Sequence, residues 1–166
     1  MIVLGIDPGI ANTGFGLVSD SGSRLQAVAF GVIETSPAMP LATRLADIHM
    51  EVDRLLSAHE VRAVAVEDLY FGANVVSAMA VGQARGVVML AAAQRSVPVT
   101  AYTPQQVKAA VCGSGRADKA QVARMVGRLL GMGSLPRPDH AADALAVALC
   151  ALNRMPLAGA VARAVG

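Results

Sequence analysis

Two short apolar runs in this chain each end on an acid. "MIVLGIDPG" places Asp7 at the end of a strand and breaks it at once with Pro8 and Gly9. "VRAVAVE", residues 61–67, is a second buried strand and closes on Glu67. Strands this apolar need cover on both faces, and therefore helices above and below a sheet. A carboxylate at the end of such a strand is costly unless something stabilises its charge. If the two strands are parallel neighbours, both carboxylates emerge at one edge of the sheet, where ligand sites of open α/β sheets lie.

The rest of the chain supplies the expected cover. Gly14 to Val18 and Leu25 to Thr35 read as strands, and Ser21-Gly22-Ser23 makes them a hairpin. Pro40 opens a helix in which Leu41, Leu45, Ile48, Val52, Leu55 and Leu56 recur at three- and four-residue spacing. Residues 74–94 form a long helix that is apolar on nearly every side, which predicts burial on every side. "VPVTAY" is a strand, Pro104 starts a short helix ending near "CGSGR", and Asp118 starts another that ends at Gly131. Asp139 is read as the cap of a last helix. The sum is a mixed α/β sheet flanked by helices, with one domain over 1–155 and an Ala- and Gly-rich tail at 156–166.

A third acidic element joins the first two. "DHAADALAVAL" brings Asp139, His140 and Asp143 within about one helical turn, with His140 and Asp143 on one face. Taken singly, each has an ordinary explanation: Asp7 as a turn former, Glu67 as a polar strand exit, Asp139 as a cap, His140 as a surface histidine. Asp143 has none, because it interrupts a face of alanine and leucine. Two strand-end acids and a helix acid make a set of hard oxygen ligands of the kind that holds Mg²⁺ or Mn²⁺. Crowded carboxylates repel, and a cation lets them stay ionised.

Composition narrows the classes. The chain is 54% hydrophobic, yet runs such as 87–93 and 144–152 fall short of the ~18 residues of a membrane span. No basic residue precedes the N-terminal apolar run, so it is a poor signal peptide, and a cytoplasmic protein is expected. Cys112 and Cys150 form neither a disulfide framework nor a zinc site. Net charge is +2, a weak pointer to a polyanionic partner. Twelve of the fourteen basic residues are Arg, and only Lys108 and Lys119 are Lys. A lysine ammonium is a compact, mobile phosphate partner, unlike the planar guanidinium fork.

Four stretches, "GIDPGIANTGFG", "AVEDLYFGANVVSAMAVGQARG", "TPQQVKAAVCGSGRADKAQV" and "DHAADALA", occur in order over residues 2–152. Together they resemble the RuvC-type Holliday junction endonucleases of the ribonuclease H-like fold. The resemblance implies a resolvase that makes paired symmetric nicks in four-way junction DNA, leaving 5′-phosphate and 3′-hydroxyl ends, in recombination and repair. It implies catalytic and metal-binding roles for Asp7, Glu67, His140 and Asp143 with two Mg²⁺ or Mn²⁺ ions per active site. Many members carry aspartate at the position of His140, so this histidine either binds the second ion or orients water, with Asp139 as a fallback ligand. Lys108 and Lys119 match basic DNA-contacting positions, Arg116 is a further phosphate candidate, and Tyr70 matches an aromatic near unpaired bases. The helix over 74–94, with Gly82, Ala84 and Gly86, is the homodimer element by resemblance. A branch-migration motor of the RuvA and RuvB type is the implied partner. The competing reading is an ATP-binding domain of the actin and sugar-kinase superfamily, whose first phosphate loop "GIDPGIANTGFG" also resembles. That reading needs a second phosphate loop and an adenosine motif, and the chain shows neither.

Overall fold

A computed structural model describes residues 1–68 and 75–155. Strands β1 (Ile2–Asp7), β2 (Asn12–Asp20) and β3 (Leu25–Glu34) run as an antiparallel meander. Helix α1 (Leu41–Ala58) leads to β4 (Val61–Glu67), α2 (Val75–Gln94) and β5 (Val99–Tyr102). Helices α3 (Pro104–Cys112), α4 (Lys119–Leu129) and α5 (Asp139–Arg154) complete the chain. The sheet order is β3-β2-β1-β4-β5, with β1–β4 and β4–β5 parallel. Ile6 pairs with Val66, so Asp7 and Glu67 leave adjacent parallel strands at the same edge.

Each sheet face has its own core. Leu4, Ile6, Leu17, Val64 and Val66 pack with α1 and α2 on one side. Val3, Val18, Ala63 and Ala65 pack with α3, α4 and α5 on the other. Helix α5 is the most deeply buried element, with every residue from Ala144 to Ala151 less than 2% exposed. It lies directly on β1 and β2 because glycines meet it there. A Cβ on Gly5 would collide with the carbonyl oxygen of Ala144, and one on Gly14 with the carbonyl oxygen of His140. Backbone-to-backbone approach of this kind is what a missing side chain permits.

Two expectations are corrected. Asp139 does not cap α5: Pro138 holds the cap position without a side-chain bond, and Asp139 is the first helical residue. There its negative charge still complements the positive end of the helix dipole. Helix α2 is not buried all round. Ala84, Val88, Ala91 and Ala92 are buried against the sheet and α1, while Met79 (62%), Met89 (42%) and Leu90 (52%) are exposed. Ala84 is therefore a core residue of its own chain and not part of a surface for a second copy; Gly82 is half-buried and Gly86 exposed. Tyr70 and the 156–166 tail lie outside the described residues.

Candidate active site

The ends of β1 and β4 and the first turn of α5 converge. Asp7 is 15% exposed, and the Nδ1–H of His140 donates to its Oδ2 at 2.7 Å. One ligand atom each from Asp7, His140 and Asp143 lie within 4.8 Å of one another. Glu67 stands beside this trio, near enough that the charges of Asp7 and Asp143 raise its pKa. Asp139 is outside the trio, and its Oδ2 is 3.7 Å from Lys119 Nζ.

Local sequence explains each placement. Pro8 and Gly9 end β1 immediately after Asp7. The turn they begin is held by Thr13, fully buried, whose hydroxyl donates to the Gly9 carbonyl. Thr35 donates to the Ile10 carbonyl and accepts from Arg44 Nε at 2.8 Å. These two buried threonines are supports that the sequence reading missed, and only their place beside a strand-end acid could have marked them. On α5, His140 and Asp143 share a face, as the three-residue spacing predicts.

Lys119 is also drawn into the site. As first residue of α4, behind the capping box of Asp118 and Gln121, its Nζ lies 3.0 Å from Asp143 Oδ2. Lys108 reaches the same region: Glu67, Pro104, Val107, Lys108, Lys119 and Asp143 line a pocket of about 190 Å³. Arg116 sits apart, exposed in the loop between α3 and α4, where Gly113 (φ 75°) closes α3 by donating its N–H to the Ala109 carbonyl. Arg85 pairs with Asp68 at 3.3 Å and so ties α2 to the residue after Glu67, a contact the sequence did not announce.

Electrostatics strain the acids. Burial raises the Asp7 pKa, and the charge of Asp143 adds to it, against the His140 hydrogen bond. Glu67 is pushed up to about 7, by burial first and then by Asp7 and Asp143. The hydrogen bond to Asp143 raises Lys119. A set of hard donors that burial and mutual repulsion leave short of positive charge fits a divalent cation.

A pH consequence follows. The folded pKa of Glu67 lies above its unfolded value of 4.5, so the folded state holds the extra proton between those values. The contribution of this group in the metal-free protein is thus fully present below about pH 4.5 and is lost as pH rises through 7, about 3 kcal/mol at most. A cation that binds the ionised carboxylates reverses the loss. Scanning calorimetry is expected to show a larger Mg²⁺-induced rise in Tm at pH 8 than at pH 5.5. An equal rise at both would detach Glu67 from the metal site.

Residues 3–151 match the family model of the crossover junction endodeoxyribonuclease RuvC. The chain belongs to the RuvC crossover junction endodeoxyribonuclease family. RuvC of Desulfitobacterium hafniense (strain DSM 10664 / DCB-2) is 48% identical over 161 residues, which cover 93% of this chain and 98% of that one. The Thermus thermophilus RuvC structure superposes with a TM-score of 0.86 at 43% identity, over 92% of this chain and 94% of that one. The structure of T. thermophilus RuvC in complex with Holliday junction substrate gives 0.85 at 41%, with the same coverage. The fold is accordingly the ribonuclease H-like fold of RuvC. RuvC-family enzymes are metal-dependent nucleases, and the Asp7, His140 and Asp143 trio is a possible metal site in this chain.

Proposed function

We propose that this chain resolves four-way DNA junctions by two symmetric nicks, as a structure-selective endodeoxyribonuclease of recombination and repair. The observation that carries it is the gathering of Asp7, Glu67, His140 and Asp143 beside Lys108 and Lys119 at one sheet edge, in a chain of this family. The junction complex of the T. thermophilus relative supports the substrate.

Asp7, Glu67 and Asp143 would hold Mg²⁺ or Mn²⁺, two ions with the help of His140. When bound, such ions supply Lewis-acid activation of water and stabilise the departing oxygen of a phosphodiester. The chain's own residues do the rest. His140 spends Nδ1 on Asp7, which leaves Nε2 to hold a second ion or to orient the attacking water. Lys119 and Lys108 bring positive charge to the phosphate flanking the cut, and Arg116 adds a contact further out. Water attacks phosphorus and the 3′ oxygen leaves with a proton, giving a 5′ phosphate and a 3′ hydroxyl with no covalent intermediate. Tyr70 stacks on an unpaired base at the opened centre, a contact worth ~1–3 kcal/mol.

Two active sites on a twofold dimer match the two like strands of a four-way junction. The second copy docks on the exposed side of α2, where Met79, Gly82, Gly86 and Leu90 share a face. Sedimentation should show Leu90→Glu as a folded monomer, whereas Ala84→Glu should fail to fold. A Leu90→Glu protein that remains dimeric would place the interface elsewhere. The enzyme works in the cytoplasm with a branch-migration motor; no described helix is long and apolar enough to cross a membrane.

The test is to label each arm of a synthetic junction, map the cuts with Mg²⁺, and add ligase. Symmetric nicks on strands of like polarity, sealed without end repair, are expected, with linear duplex cut poorly. Asymmetric cuts, ends that resist ligation, or equal activity on linear duplex would overturn the resolvase reading.

A further inference from the structure

We propose that the concavity between the 113–117 loop and α4 is a second phosphate site, which grips the backbone of one duplex arm away from the bond that is cut. This inference rests on the junction-resolving reading above and extends it to a surface outside the metal-binding cluster.

The concavity has a volume of about 470 Å³, and Ser114, Arg116, Gln121, Arg124 and Arg128 line it. Three exposed guanidiniums thus face one hollow. None of them makes an ion pair among the described residues. The one acid beside the loop, Asp118, caps α4 by accepting the Gln121 backbone N–H at Oδ1, and its single charge leaves the three guanidiniums in excess. The contrast with the other sheet face is informative. On α1 and α2, Arg54 pairs with Glu51, Arg95 with Asp53 and Arg85 with Asp68. Residues 103–155 carry seven basic and three acidic side chains; residues 41–60 and 75–96 together carry four of each. Like charges gathered without counterions repel, and an approaching polyanion relieves that repulsion.

Position makes a DNA arm the fitting polyanion. Helix α4 separates this hollow from a second one of about 360 Å³, lined by Lys119, Arg124, Arg137, Asp139 and Asp143. Arg124 lines both. Basic groups therefore line both sides of α4, from Lys119 beside the acids of the active site to Arg128. Guanidinium forks bind phosphate oxygens in pairs, and Ser114 and Gln121 add neutral hydrogen-bond donors. No aromatic side chain lines the hollow, so the contact is to backbone and carries no base preference.

The experiment measures full-length wild type and the Arg124→Gln/Arg128→Gln double variant on a four-way junction in Ca²⁺, from 50 to 200 mM salt. Thermal melting checks that the variant is folded. The variant is expected to bind at least tenfold more weakly at 100 mM salt. Its slope of log K against log salt should be shallower by about 1.8, at ~0.9 for each lost phosphate contact. Trimming the junction arms should weaken the wild type and leave the variant indifferent. If the double variant melts early, Arg124→Gln and Arg128→Gln singly should each lose about half of that slope. Unchanged affinity and slope would overturn the site, even if the variant lost an acidic protein partner. Wild type without preference for junction over linear duplex would instead overturn the functional reading, and the slope on duplex would still judge the hollow.

Discussion

Asp7→Asn is expected to lower junction cleavage at least a thousandfold while junction affinity stays equal or rises. The side chain is 15% exposed and accepts a hydrogen bond from His140, and an amide oxygen of the same shape still accepts it, though more weakly. The fold should therefore survive. What is lost is one charged ligand among three donors within 4.8 Å of one another. Metal-assisted stabilisation is worth several kcal/mol, and roughly 4 kcal/mol is three powers of ten in rate. Removing a negative charge beside bound phosphates favours binding. The same change relieves the crowding that raises Glu67, so the metal-free variant should melt above wild type at pH 8 and respond less to Mg²⁺. Single-turnover cleavage within tenfold of wild type would show that the reaction is performed elsewhere.

Residues whose meaning lies in local spacing are readable from the sequence. Asp7 and Glu67 stand out because each ends an apolar strand, and the parallel pairing of Ile6 with Val66 sets them side by side. His140 and Asp143 stand out because three-residue spacing keeps them on one face. Features that depend on how elements pack are hidden. Lys119 meets Asp143 only because α4 starts against α5. Which side of α2 packs inward was hidden because a helix with no polar stripe gives periodicity nothing to orient it by. Asp139 was read as a cap because it is a good capping residue, yet α5 begins one residue earlier than that reading requires. Thr13 and Thr35 look like ordinary strand residues until the turn they hold is seen.

Gly14→Ala should lower cleavage about a hundredfold, although residue 14 bears no chemistry. Its Cβ would occupy the space of the His140 carbonyl oxygen and crowd the His140 Cβ. Backbone cannot yield as the end of a flexible side chain can, so the first turn of α5 must lift from β2. His140 and Asp143 move with that turn while Asp7, paired with Gly14 across β1 and β2, stays. Displacements of about 1 Å at a catalytic constellation cost on the order of a hundredfold in rate. Overpacking adds about 1–3 kcal/mol of destabilisation. The pair of measurements is single-turnover cleavage and the urea midpoint. A variant with wild-type rate and midpoint would mean that α5 does not seat on β2 as described.

The burial of α5 also sets how long the site can persist. Backbone amides of a fully buried helix exchange with solvent only when the whole molecule unfolds. Those from Ala144 to Ala151 should be among the slowest in the protein, and Asp143 sits one residue before them. Asp7 and Glu67 end the two central strands on which the same helix and its opposite layer rest. Each of the three acids belongs to a regular element: Asp7 ends β1, Glu67 ends β4 and Asp143 lies in α5. The lifetime of their arrangement is therefore the lifetime of the folded state.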